Sequence, residues 1–487
     1  MSFDRLTKLY MLKIKIPHVF IFLSGIILFC SILTYFIPSG SFERSTRTYG
    51  KVTQTVVVPG SYKEIPKHIS AKAALVGEEV EGKSSPISIL GTLSAIPKGL
   101  ADSAVLVFYV FIIGAVFSLI HYTGAINAVL FEMISRFGEH PKRLFFLVFI
   151  LLFSGASFMG IVTETIPLIP MFLYLSKRMG YDRMFGMGLI GVPTFLGWSA
   201  GITNPFTVQI AQIIAELPVG SGMGLRVVLF LVLAAIGFHF LMRYGDRVKK
   251  DASLALIKND KFEPDGYENF EAKSLERRHI LIILFFLISY ASILVAVQTI
   301  GWGLIEMSAC FIGITIVVTL ISGMSGDESM SALIKGLQTM IVPALVVGVA
   351  RGISVVLQEG MILDTILHNA SEFLLTMPRS VAGQGMLFFQ SVLNFFIPSA
   401  SGQALVSMPL MTPLADILGI SRQTAVLAYI LGDGLSNLII PTNGVLMAML
   451  GIAKVPFEKW FKFILPVFLV TLFAAMAFVA LAIALGY

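Results

Sequence analysis

The chain has 487 residues, of which 56% are hydrophobic and only 13% charged, with a formal net charge of +6. Soluble domains carry about 25% charged residues, so the composition excludes a water-soluble globular protein. The positive balance reads as loop charge that orients membrane spans rather than as a nucleic-acid surface.

Apolar stretches near the ~20 residues needed to cross a bilayer recur along the whole length. Arg5, Lys8, Lys13 and Lys15 precede the run Val19–Ile37. That run is too long for a signal-peptide core and lacks a small-x-small cleavage site, so it reads as a retained first span. Residues 39–86 are polar, with Gly, Pro and mixed charge, and form an expected external loop. Ile87–Leu100 is expected to lie at the interface, and Ala104–Ile120 to cross. Leu144–Phe153 is too short to cross and meets Ser-Gly-Ala-Ser-Phe-Met-Gly at 154–160, followed by a modest run to Leu175. Two short arms around a Gly/Ser tip describe a re-entrant hairpin, tolerated at membrane depth only where protein or a water-lined cavity covers it.

Phe185–Ala215 is a span interrupted at Gly201–Pro205, and Val227–Leu241 returns. The hydrophilic segment Arg243–Arg278 divides the chain, followed by the spans Ile280–Val297, Leu304–Ile321 and Ile341–Leu357. A second hairpin has the arm Met386–Ile397, the tip Pro-Ser-Ala-Ser-Gly-Gln (398–403) and the return Met408–Leu418. Ala425–Leu450 is a second broken span, and Phe463–Leu485 closes the chain. Cys30 and Cys310 both sit in apolar spans and build neither a disulfide framework nor a metal knuckle.

The breaks repeat. Asn443 lies 239 residues after Asn204, and the same offset pairs Pro170 with Pro409, Gly180 with Gly419, Arg183 with Arg422 and Thr203 with Thr442. Glu164 falls opposite Gln403. This gives three parts: a first repeat at 1–243 with its loop at 39–86, a loop and linker span at 244–303, and a second repeat at 304–487. One unpaired crossing between the repeats makes their topologies opposite. With the N-terminus cytoplasmic, Lys/Arg clusters at 136–143, 177–183, 243–278 and 454–462 all fall inside. The expected fold is an all-α integral membrane protein of inverted repeats, with two re-entrant hairpins and two broken helices.

A broken helix in each half points to the solute site of a secondary transporter. Unwound backbone leaves N–H and C=O groups without intrahelical partners. Half-helix N-termini attract anionic groups, and free carbonyls coordinate cations. The residues placed to act there are Ser157, Thr163, Thr203, Asn204 and Pro205 in the first half. In the second half they are Ser399, Ser401, Gly402, Gln403, Ser436, Asn437, Thr442 and Asn443. Ser436–Asn437 and Asn443 are alternative registers for the second break. Glu164 and Asp433 are intramembrane carboxylates, each needing a cation, a proton or a partner. Arg351, inside an apolar span, either faces an anionic solute or neutralises an acid. HExxH and metal-spaced His/Cys sets are absent. The letters of a P-loop at 77–84 (Gly-Glu-Glu-Val-Glu-Gly-Lys-Ser) fall in the polar 39–86 loop, and those of GxSxG at 197–201 (Gly-Trp-Ser-Ala-Gly) fall inside an apolar span, so neither reads as an enzyme motif.

These residues fit a known pattern. The order of hairpin, broken span, linker, hairpin and broken span resembles the ion transporter superfamily of secondary carriers. Gly-Tyr-Asp (180–182), Asn-Pro-Phe (204–206), Ser-Gly-Gln (401–403), Gly-Asp-Gly-x-Ser (432–436), Pro-Thr (441–442) and Phe457-x-x-Trp460 are similar to the YfcC-type basic amino acid antiporters. Those antiporters are relatives of the DcuC four-carbon dicarboxylate carriers. The resemblance implies a scaffold and a mobile transport domain, a homodimer in the lipid of the cytoplasmic (inner) membrane, and elevator-type alternation. It implies a small solute, a basic amino acid such as arginine exchanged for ornithine, with Na⁺ or H⁺ as the coupling ion at the hairpin tips and breaks. One departure stands out: where the family often has adjacent acidic residues in the first hairpin, this chain has Thr163–Glu164. A dicarboxylate carrier is the alternative within the class, and a channel or membrane sensor the alternative outside it. Discrete breaks argue against a continuous pore, and Arg243–Arg278 is too short for a sensor's output domain.

Overall fold

The computed structural model describes residues 19–49, 52–128, 140–257, 275–300 and 302–487, with Glu132 and Ser135. The basic residues Arg5, Lys8, Lys13, Lys15 and Arg136, and the middle of the 243–278 segment, lie outside the described residues.

Among the described residues, six helices are long and apolar enough to cross a membrane. They are Ala104–Tyr122, Pro141–Met159, Met223–Lys250, Leu304–Ser322, Ile341–Glu359 and Phe457–Leu485. Val19–Phe36 and Arg277–Ile300 are further apolar helices. Leu320, Leu151 and Phe473 stay 75%, 72% and 69% exposed on these elements. Side chains of that kind match a hydrocarbon surrounding rather than water. The chain is an all-α, multi-pass integral membrane protein whose described strands are confined to the 39–86 insertion.

Both hairpins can be read from contacts at their ends. Near the start of Pro141–Ser154, Phe145 packs its ring 5.1 Å from Tyr181 and 5.0 Å from Phe185, at the start of the broken span. The far end winds as a π-helix over Gly155–Met159 and reaches the break, where Ile202 N–H donates to Ser157 C=O at 3.0 Å. Ile169–Arg178 then carries the chain back. Entering and leaving at one end, with the tip at a helix break, is a re-entrant path. The second hairpin does the same. Arg379 donates to Ile483 C=O at 3.3 Å at the entrance, and Asn394 bonds Ser436 and Asn437 at the tip, before Ala400–Ile417 returns.

The broken spans are Arg183–Ser199 followed by Pro205–Ile214, and Arg422–Ser436 followed by Gly444–Ile452. They run antiparallel. Arg183, at the start of the first, donates to Lys454 C=O just past the end of the second (2.8 Å). Arg422, at the start of the second, donates to Ala215 C=O at the end of the first (3.1 Å). Residues 183 and 422, and 215 and 454, share the 239-residue offset.

A second group of helices forms a wall beside the hairpins. Ile89–Asp102 packs on Ile341–Glu359, and Gly326–Thr339 packs on Ala104–Tyr122, so each half contributes one partner to each pair. Glycine permits the approach in both: a Cβ on Gly99 would lie 2.4 Å from Gly348 C=O, and one on Gly336 would lie 2.3 Å from Gly114 C=O. The expected interfacial helix is therefore packed on one face, while Ile89 and Leu93 remain exposed on the other. Gly326–Thr339, its counterpart, is one charged-faced helix that apolar-run reading does not flag.

The 39–86 insertion is folded. Ser39–Ser41 pairs antiparallel with Lys63–Ile65, and Arg44–Tyr49 with Val52–Val57. Asp364 accepts from Phe42 N–H and from the Arg44 guanidinium, each at 2.9 Å, while Tyr62 stacks on His368 at 4.1 Å. Val52–Val57 also lies against the return arm Ala400–Ile417.

Candidate functional site

Both hairpin tips and both breaks converge on a cavity of ≈ 310 Å³. Its polar lining comprises Thr163, Glu164, Ser401, Asp433, Asn437 and Asn443, and its apolar walls include Phe195, Trp198, Phe206 and Trp302. None of the described lining residues is Lys, Arg or His.

At the first break, Asn204 is fully buried and its Oδ1 accepts from Phe206 N–H at 2.9 Å, capping the second half-helix. Its Nδ2 donates to Ala156 C=O in the hairpin tip (3.3 Å), Thr203 Oγ1 donates to Phe158 C=O (2.9 Å), and Ser157 Oγ donates to Ala200 C=O (3.1 Å). The tip and the break are thus one hydrogen-bonded unit. Gly160 closes it at φ 70°, with space for a Cβ already taken by Asn204 Oδ1 at 2.7 Å. Glu164 is 6% exposed, and one of its oxygens accepts from Val162 N–H at 2.9 Å. Its own C=O accepts from Tyr290 OH on Arg277–Ile300 at 2.5 Å.

At the second break, Asn443 Oδ1 accepts from Val445 N–H and Leu446 N–H, both at 3.0 Å. Asn443 is therefore the counterpart of Asn204. Asn437 acts differently, its Oδ1 accepting from Asn443 Nδ2 (2.6 Å) and from Asn394 Nδ2 (2.9 Å). Ser436 joins that network through Asn394, and Thr442 is buried beside it. Asp433 is 1% exposed; Trp198 Nε1 donates to its Oδ2 at 2.8 Å, and its Oδ1 has no partner among the described residues. A buried oxygen without a donor costs free energy unless a ligand or proton supplies one. The return arm of the second hairpin begins at Ala400 and Ser401 on the cavity wall, and no side chain caps that helix N-terminus.

Several expected residues lie elsewhere. Gln403 is buried behind the tip, donating to Gln390 C=O and Oε1 at 2.9 and 2.7 Å. Ser399, Gly402 and Pro205 belong to the tips and break but do not line the cavity. Arg351 is outside the lining as well, its Nε 3.5 Å from Asp102 Oδ2 between two packed helices. Sequence reasoning misses Trp198, Tyr290, Gln390 and Asn394. The two amides are visible, with Ser391, as the polar residues of an otherwise apolar arm. Trp198 has no such mark except its place just before a break.

Two antiparallel broken helices and two hairpins around a cavity with polar groups set in apolar walls define a membrane carrier of small solutes. The chain belongs to the DcuC family, described as C4-dicarboxylate anaerobic carrier, whose model matches residues 16–484. It is similar to the protein of Escherichia coli (strain K12) named "Putative basic amino acid antiporter YfcC", with 31% identity over 92% of both chains. It is also similar to an uncharacterized protein of Haemophilus influenzae (strain ATCC 51907 / DSM 11121 / KW20 / Rd), with 28% identity over 92% of this chain and 93% of that one. Among solved structures, the YdaH transporter of Alcanivorax borkumensis matches with a TM-score of 0.41 and 15% identity, over 97% of this chain and 99% of that chain. The protein is a transporter rather than an enzyme.

Proposed function

We propose that this transporter is a secondary active carrier of basic amino acids, with arginine and ornithine as the exchanged pair. The observation that carries the reading is the charge of the cavity: two carboxylates, Glu164 and Asp433, and no basic residue in the described lining. A guanidinium or ammonium group would supply the donor that Asp433 Oδ1 lacks. The uncapped N-terminus at Ala400–Ser401 suits the solute's α-carboxylate. Thr163, Ser401, Asn437 and Asn443 would bond the α-amino group and fix orientation. The name of the Escherichia coli relative points the same way.

The rest of the reading rests on the charge bias and the repeat for orientation, and on the family resemblance for the motion, the homodimer and the coupling ion. The protein sits in the cytoplasmic membrane with its N-terminus inside, as positive-inside bias favours. Residues 1–243 and 304–487 are inverted repeats joined by 244–303. The hairpins and broken spans move as one body against the wall of packed helices, which forms the homodimer. Na⁺ or H⁺ is the coupling ion, and the carbonyls freed at the two breaks are where Na⁺ would be held.

The second reading, a four-carbon dicarboxylate carrier, is favoured by the family's description. Proteoliposomes loaded with arginine or ornithine separate the two. Labelled arginine accumulates by counterflow under the proposal, and succinate neither accumulates nor competes. Succinate counterflow that arginine leaves untouched overturns it.

A further inference from the structure

We propose that the base of the first hairpin holds the phosphate of an anionic phospholipid. Lys142, at the start of the hairpin arm, and His239, Arg243, Arg247 and Lys250, on the last turns of Met223–Lys250, surround a pocket of ≈ 370 Å³. Among the described lining residues the one acid, Asp246, is bonded to Lys142 at 2.7 Å, and the Lys and Arg side chains there outnumber it four to one. His239, Arg243, Arg247 and Lys250 follow one another at three- and four-residue steps, which places them on one helix face. Basic pockets between membrane helices on the cytoplasmic side are suited to anionic headgroups.

What selects a lipid over a free phosphate ion is the surface next to the pocket. On the same two helices, toward the membrane interior, Phe146 (48%), Leu147 (55%), Leu151 (72%) and Leu231 (61%) are exposed. Phe146 also packs on Phe238 at 5.2 Å, closing the seam between arm and span. An acyl chain has an apolar wall to follow directly from a basic pocket. Such a lipid bridges the hairpin arm and its neighbouring span, and so braces the hairpin at the end opposite the cavity.

The test uses the purified full-length protein in detergent, with native mass spectrometry and thermal denaturation in the presence of phosphatidylglycerol, phosphatidylcholine or inorganic phosphate. Phosphatidylglycerol binds and raises the melting temperature, and phosphatidylcholine does not. Combining Arg243→Ala, Arg247→Ala and Lys250→Ala weakens phosphatidylglycerol binding by roughly fivefold per side chain, on the order of a hundredfold together. Asp246→Asn, which keeps every cation, strengthens it several-fold and guards against a triple variant that fails to fold. Equal binding of the two lipids, unchanged binding in both variants, or full protection by inorganic phosphate alone overturns the proposal.

Discussion

Asn204 and Asn443, 239 residues apart, each cap a half-helix with the side-chain oxygen, but they direct their amides to different places. Asn204 ties its break to the neighbouring hairpin backbone through Ala156 C=O. Asn443 ties its break to a side-chain network, through Asn437 to Asn394. The first break is therefore braced by main chain. The second is braced by side chains that can rotate, and under the proposed function it is the one to respond to a solute.

That difference gives a first prediction. Loss of a capping Asn costs about 1 kcal/mol of helix stability. Asn204→Ala additionally removes the bond to Ala156 C=O that helps tie the tip to the break, so it lowers the melting temperature more than Asn443→Ala. Asn443→Ala keeps most of the stability and loses arginine exchange. Melting curves and counterflow on both variants check the order; a reversed order contradicts the asymmetry.

A second prediction concerns charge. Removing one partner of a buried ion pair costs about 3–5 kcal/mol, which exceeds a hundredfold in binding. Asp433→Asn or Glu164→Gln weakens arginine by that order and a neutral analogue of similar length far less. Arg351→Ala, outside the cavity lining, leaves arginine affinity within a few-fold of the parent. Competition binding with both solutes measures this. Equal losses for the charged and neutral solutes would assign the carboxylates to the coupling ion.

Much of this layout is legible in the sequence because bilayers force simple rules on a chain. Apolar runs mark spans, and polar residues inside them mark breaks, so both hairpins and both Asn caps stand out. The repeat offset survives in the structure down to the turns: Gly180 and Gly419 both adopt positive φ, and Asp182 and Ser421 cap the helices that follow. Other features are not legible. Gly326–Thr339 has Asp327, Glu328 and Lys335 on one face, so its hydropathy hides a helix that packs through Gly336. Arg351 reads as a site residue because a buried charge needs a partner, and nothing in the sequence names Asp102, roughly 250 residues earlier, as that partner. Gln403 matches Glu164 by offset but faces Gln390, because one residue's rotation about a helix turns a cavity-lining position into a packed one.

A third prediction concerns acid. In the 39–86 insertion, hydrogen bonds from Ser70, His68 and Lys72 hold the Glu78 carboxyl down at about 2. A carboxylate whose folded pKa lies below its unfolded value stabilises the fold above the unfolded pKa, near 4.5. That contribution fades as pH falls from there toward 2. Protection from hydrogen exchange around Ala71–Val76, taken relative to the intrinsic rate at each pH, should therefore fall across this window in the parent, and Glu78→Gln should flatten the dependence. An unchanged profile in the variant would mean another group controls the segment.

A fourth prediction tests the mirrored helix pairs. A Cβ on Gly336 meets Gly114 C=O at 2.3 Å and Ala115 Cα at 2.7 Å, both backbone atoms that cannot rotate away. Gly336→Val forces the helices apart, and overpacking of this kind costs about 1–3 kcal/mol. Gly313→Val, where a Cβ meets nothing within 4 Å, is the matched control. The first variant melts several degrees lower and the control does not.

The last prediction follows from Trp198, whose Nε1 donates to the Asp433 carboxylate at Oδ2 while Oδ1 has no donor among the described residues. Trp198→Phe keeps an aromatic wall and leaves both carboxylate oxygens buried without a donor. A hydrogen bond to a charged group contributes about 1.5–3 kcal/mol, so the empty carrier loses stability of that order. A bound cation satisfies the same oxygens. Arginine therefore raises the melting temperature of the variant more than that of the parent, while a neutral analogue raises both equally. Turnover falls, because a carrier that holds its solute more tightly than its empty state releases it slowly. Thermal shifts with arginine and the neutral analogue, read beside exchange rates, check all three outcomes. Identical arginine shifts in parent and variant would place the solute's cationic group away from Asp433.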